Sequence, residues 1–134
     1  MNKFQFRLQP LERLRRHARD QAQIELAAAV AALEATRRQQ RDTHSELASL
    51  ADDIRTMANR RTVQVDLLLE GNRYGMTLKT RLAKIADAMR EASAEVERCR
   101  LKLVEADKEV KSLEKLHERR MEEHLLAVQQ HEVR

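Results

Sequence analysis

Residues 78–113 read LKTRLAKIADAMREASAEVERCRLKLVEADKEVKSL. Numbered as a heptad repeat with Leu82 at a, the a and d positions are Leu78, Leu82, Ile85, Met89, Ala92, Val96, Cys99, Leu103, Ala106, Val110 and Leu113. Every one is apolar or small, and the spacing alternates between four and three. Charged side chains such as Lys79, Arg81, Arg90, Glu95 and Arg98 fill the positions between. A stripe this narrow and this long does not suit a helix lying on a globular core. A period of 3.5 held over about five heptads wants a partner helix and a left-handed supercoil.

Working outward, the composition supports the same class. Of 134 residues, 36% are charged and 2% aromatic, with two glycines and one proline. That is too little large apolar surface and too few turn residues for a compact core, and it is the composition of long helices. The longest apolar run, residues 26–33, is far short of a membrane span. No apolar segment follows Lys3 and Arg7, so no secretory signal is expected. The single cysteine, Cys99, cannot close an internal disulfide, which suits a reducing cytosol.

Upstream, Pro10 fits the first position of a helix, where its missing N–H would be unpaired anyway. From Leu11 the helical pattern continues without a breaker. Leu26, Leu33, Leu47 and Ile54 share one heptad position; Ala22, Ala29, Leu50 and Met57 share another. Thr36, Gln40 and Thr43 interrupt the stripe in its middle third. The chain must then reverse, and two sites offer themselves. One is Asn59-Arg60-Arg61-Thr62, with Thr62 able to cap the next helix. The other is residues 71–75, which hold both glycines. The first is favoured, because the second helix's stripe ends at Leu113 and an early reversal sets Leu113 opposite the start of the first helix. Gly71 and Gly75 then fall on the seam, at a cost of roughly 1 kcal/mol each against alanine. The expected fold is all-α: one antiparallel two-helix coiled-coil hairpin over 1–134. Its parts are a lead over 1–9, a helix over about 10–59 and a second over about 63–131, forming a long rod of roughly 75 to 90 Å.

Charge is uneven along the chain. Residues 1–20 carry a net +4, residues 21–70 a net −2 and residues 71–134 a net +2. The basic cluster Arg13, Arg15, Arg16 and Arg19 includes an i, i+4 like-charge pair, so it does not stabilise its own helix. It reads as a solvated face or as a contact for an anionic protein. A nucleic-acid reading is disfavoured, since no aromatic platform or fold signature accompanies it. In the lead, Phe4, Phe6 and Leu8 alternate with polar residues. They either staple onto the start of the first helix or anchor a partner. Catalysis finds no support: no phosphate-cradling glycine loop exists, and no cofactor is expected. His117, His124 and His131 recur every seven residues, about 10.5 Å apart on a helix, too far to share one metal ion. They read as polar seam positions beyond the end of the partner helix.

The opening Lys3-Phe4-Gln5-Phe6-Arg7-Leu8-Gln9-Pro10-Leu11, followed by Leu14-Arg15-Arg16 and then Gln21-Ala22-Gln23 and Glu25-Leu26, resembles the FliJ family of the bacterial flagellar type III export apparatus. The closing Leu113-Glu114-Lys115-Leu116-His117-Glu118-Arg119-Arg120, with Glu122-Glu123 after it, is similar to that family's C-terminal segment, and Tyr74 is similar to a recurrent feature. The glycine pair and the lack of other aromatics around Tyr74 depart from the family pattern. The resemblance implies a non-catalytic central stalk of the flagellar export ATPase complex, without bound nucleotide. Its partners would be the hexameric export ATPase, the cytoplasmic region of the export gate protein and export chaperones. It implies a cytoplasmic protein held peripherally at the inner membrane through other proteins. The ATPase contacts would be Phe4, Phe6, Arg7, Leu8, Arg13, Arg15, Arg16, Leu116, Arg119 and Arg120, with Tyr74 towards the gate. The alternatives are a stalk of a virulence-type secretion system, or a coiled-coil scaffold that homodimerises through Leu78 to Leu113.

Overall fold

A computed structural model describes residues 3–133 of the chain. Two α-helices, α1 (Gln9–Ala58) and α2 (Val65–Val133), pack against each other as an antiparallel hairpin. Long uninterrupted helices follow from the composition. Alanine-rich residues 27–32 propagate helix well, and the one proline sits in the first turn of α1. Asp66 in the first turn of α2 and Arg55 in the last turn of α1 complement the helix dipoles.

The reversal occupies residues 59–64 and contains no glycine. Asn59 N donates to Arg55 O (3.1 Å) and closes α1, while Leu68 N donates to Gln64 O (3.2 Å) and opens α2. Gln64 therefore precedes the second helix, not Thr62. No residue here has a positive φ, so the turn needs no left-handed conformation. Both glycines lie inside α2. A Cβ on Gly71 would stand 3.2 Å from Ile54 Cγ1, and one on Gly75 would stand 3.6 Å from Leu50 Cδ2. They serve close helix approach, not chain reversal.

The chain packs as two compact units, each drawing on both helices. The first joins residues up to Ala28 with those from Glu97 on. Its interior holds Phe6, Ala22, Cys99 and Val110, with Leu103 and Leu113 half-buried. The second spans Ala29–Val96. Leu78, Ile85, Ala29 and Leu33 are buried there, and Leu82, Met89 and Val96 half-buried. Thr43 is buried in this second unit and donates its hydroxyl to Gln39 O at 2.8 Å; Thr36 does the same to Ala32 O at 3.0 Å. Polar seam residues are tolerated because each hydroxyl finds a carbonyl one turn back.

Candidate partner-binding surface

The first unit carries most of the residues that sequence reading singles out. Here the lead turns onto α2. Gln9 N donates to Phe6 O (3.1 Å) and Glu12 N to Leu8 O (2.9 Å), so residues 7 and 8 form a turn that aims Phe4 and Phe6 at the second helix. Phe6 is buried and stacks on His117, with ring centroids 4.5 Å apart and planes 12° from parallel. Phe4 meets His117 at 5.6 Å and His124 at 5.5 Å, tilted in both cases. The phenylalanine rings thus pack on the histidines of α2.

Under this stack lies Glu12, only 2% exposed. His117 Nδ1 stands 3.0 Å from Glu12 Oε2. A carboxylate oxygen accepts, so the tautomer with its proton on Nδ1 is the one that makes this bond. Arg16 Nη2 completes the carboxylate at 2.7 Å from Oε1 and reaches Glu114 at 3.6 Å. A buried carboxylate needs such partners, because an unpaired one is costly to desolvate. For His117 the reading as a polar position past the end of the partner helix is thereby corrected, since Glu12 of α1 lies opposite it; His124 meets Phe4 of the lead, before α1 begins. Both are covered by the lead, and their signal in the sequence is the match of two alternating phenylalanines to two histidines seven apart.

The basic cluster divides. Arg15 bonds Glu109 across the hairpin at 3.1 Å, and Arg16 is held by Glu12 and Glu114. These two tie α1 to α2, and Arg16 also bridges Glu12 one turn back within α1. The Arg19 guanidinium stands 3.5 Å from Asp20, with Nε buried and unpaired. Arg13 is exposed, as are Arg7 and Arg119. Leu8 is exposed as well and Leu116 half-buried; with Phe4, Phe6, Arg7 and Arg120 they line a cleft of about 910 Å³ between the lead and α2. The cleft has an apolar floor and a cationic rim, with Glu123 the one carboxylate among its lining residues. Among the described residues no group of three His, Cys, Asp or Glu side chains could hold a metal ion. The arrangement suits contact with another protein: exposed apolar and cationic groups beside a rigid aromatic floor.

Tyr74 lies in the second unit. It is 41% exposed, and its hydroxyl donates to Glu46 across the hairpin. That bond, then desolvation, pushes the phenol's pKa above its ordinary value, partly opposed by Arg81.

The family model described as flagellar FliJ protein matches residues 4–134, from the lead through both helices. The chain belongs to the FliJ family. Among solved structures, a chain described as a YscO homolog from Chlamydia trachomatis superposes with a TM-score of 0.70. It shares 19% identity and covers 97% of this chain and 88% of its own, a likeness of fold. Among curated proteins no sequence match is found. FliJ membership makes this hairpin a stalk-like component of type III export. No described helix is long and apolar enough to cross a membrane.

Proposed function

We propose that this FliJ-family chain is the non-catalytic central stalk of the flagellar export ATPase complex. The first unit enters the pore of the hexameric ATPase, promotes ring assembly and raises ATP hydrolysis. Family membership over residues 4–134 carries this reading, since the match includes both chain ends. The cleft lined by Phe4, Phe6, Leu8, Leu116, Arg7 and Arg120 supplies the contact, together with the exposed Arg13 and Arg119. Arg15 and Arg16 support it by holding α1 to α2. Tyr74 marks the side offered to the cytoplasmic region of the export gate, and export chaperones are further partners. The protein works at the cytoplasmic face of the inner membrane, attached through the export apparatus.

The test is ATP hydrolysis by the organism's own flagellar export ATPase, with and without the chain. A rise in rate with a shift of the ATPase towards hexamer is expected, and both effects should fall with Arg13→Ala and Arg120→Ala. No change in rate or assembly in the presence of a helical, folded chain would overturn the proposal. A second reading, the stalk of a virulence-type secretion system, takes support from the YscO homolog, the type III secretion counterpart of FliJ. Stimulation of that system's ATPase in place of the flagellar one would favour it.

A further inference from the structure

The outward face of α2 next to the reversal is not used by the stalk reading. Val65, Leu69 and Met76 are 63%, 49% and 70% exposed. Their spacing of i, i+4 and i+11 places them in one stripe on a helix, with Asn72 at i+7. The opposite side of the same segment is turned to α1, with Gly71 against Ile54, Gly75 against Leu50 and Leu78 buried. The stripe therefore has no cover within the hairpin. It is one residue wide between polar neighbours. That is the width of a helix-pairing seam, narrower than the apolar face of a helix lying in a lipid surface. A single Asn within such a seam sets register.

Charge indicates what pairs with it. From residue 71 to residue 86 the chain has four cations, Arg73, Lys79, Arg81 and Lys84, and no carboxylate. Arg73 and Lys84 flank the stripe on one side and Lys79 on the other. Among the described residues none of these three enters an ion pair, whereas Asp52, Asp87 and Glu97 are each paired to an arginine three residues on. Glu70 and Asp87 bound this carboxylate-free segment, and Asp87 is already occupied by Arg90.

We propose that this face docks an amphipathic helix of a partner protein whose apolar positions are flanked by Asp or Glu. The partner helix lies along α2 as a third strand. Its apolar side chains cover Val65, Leu69 and Met76, the last a side chain that adapts to irregular surfaces. Its carboxylates meet Arg73, Lys79 and Lys84, which set orientation and speed encounter. The site shares no residue with the Phe4 to Arg120 cluster, and Tyr74 points elsewhere, to Glu46. It stands or falls independently of the ATPase reading.

The experiment titrates the full chain against a fluorescent synthetic peptide of about four heptads, long enough to be helical. Leucine occupies its a and d positions and glutamate e and g, where mutual repulsion keeps it monomeric at neutral pH. A twin carries lysine at e and g. The acidic peptide is expected to bind at least about tenfold more tightly than the twin and to weaken with salt. Leu69→Asp with Met76→Asp is expected to weaken binding by about tenfold or more, since a charge would be buried unpaired. The melt of this variant should not change, because both side chains are exposed. Hydrogen exchange should show protection confined to residues 65–84. Equal binding of the twins, binding that survives the double substitution, or protection elsewhere would overturn the proposal. So would two other results: capture by phosphatidylglycerol vesicles through Leu69 and Met76 without peptide binding, or a doubling of mass that the double variant abolishes.

Discussion

Glu12 is the residue on which the lead, α1 and α2 converge. Two cations or donors, Arg16 and His117, hold a carboxylate that is 2% exposed. Removing either leaves part of that charge unanswered, so Arg16→Ala is expected to destabilise by about 1 kcal/mol. Arg13→Ala, at an exposed site, should leave a urea midpoint unchanged. The contrast separates a structural arginine from an exposed one three positions away, which composition and charge counting cannot do. The stacked rings give a second reading. Phe6 over His117 should shift the His117 ring protons upfield of those of His131 in proton NMR, and Phe6→Leu should abolish the shift. Tyr74 gives a third. Its pKa is raised by donation to Glu46, so the stabilisation is present below the ordinary phenol pKa and lost as pH rises through the raised one. As the only tyrosine, it can be followed by ultraviolet absorbance during alkaline titration. Glu46→Gln should move the midpoint down. Apart from Arg16 with Glu12 one turn back, these contacts join positions far apart in sequence; the phenylalanine and histidine spacings hint at one of them, and residue types alone do not pair Glu12 with His117 or Tyr74 with Glu46.

At the scale of the element, the apolar period made the hairpin legible. Two stripes of 3.5 spacing in one chain can satisfy each other only by folding back. The place of reversal was harder to read, since glycine content points to 71–75 while the chain turns over 59–64. A glycine in a long helix signals close packing as readily as it signals a turn. The two glycines should respond differently to alanine. At Gly75 the new methyl finds ordinary van der Waals room, so helix propensity dominates and Gly75→Ala should stabilise by about 0.5–1 kcal/mol. At Gly71 the Ile54 side chain must yield by a few tenths of an ångström, so Gly71→Ala should fall short of that gain. Denaturant midpoints of the two variants decide it. Leu78, fully buried, tests the seam itself: Leu78→Ala should cost about 2–3 kcal/mol, the lower part of the range for large-to-small core changes.

For the whole molecule, both strands of the seam belong to one chain, so sedimentation at micromolar concentration should give a species near 15.6 kDa. Removing residues 1–8 should leave helicity nearly intact, because both helices begin after them, yet abolish stimulation of the export ATPase if the cleft is the contact. Family and fold were readable because the specific residues cluster at the two ends of the chain and the hairpin needs only periodicity. The division of the basic cluster into structural and exposed members was not, since it depends on which carboxylates of α2 fall opposite.

Cys99, 5% exposed and the one thiol in the chain, adds a clock. A thiol reagent can reach it only when the helices part locally, so the labelling rate counts those openings. A partner that clamps the first unit will slow the reaction, and one that pries it apart will speed it. The native sequence thus reports the breathing of the hairpin in every complex it enters, without an introduced probe.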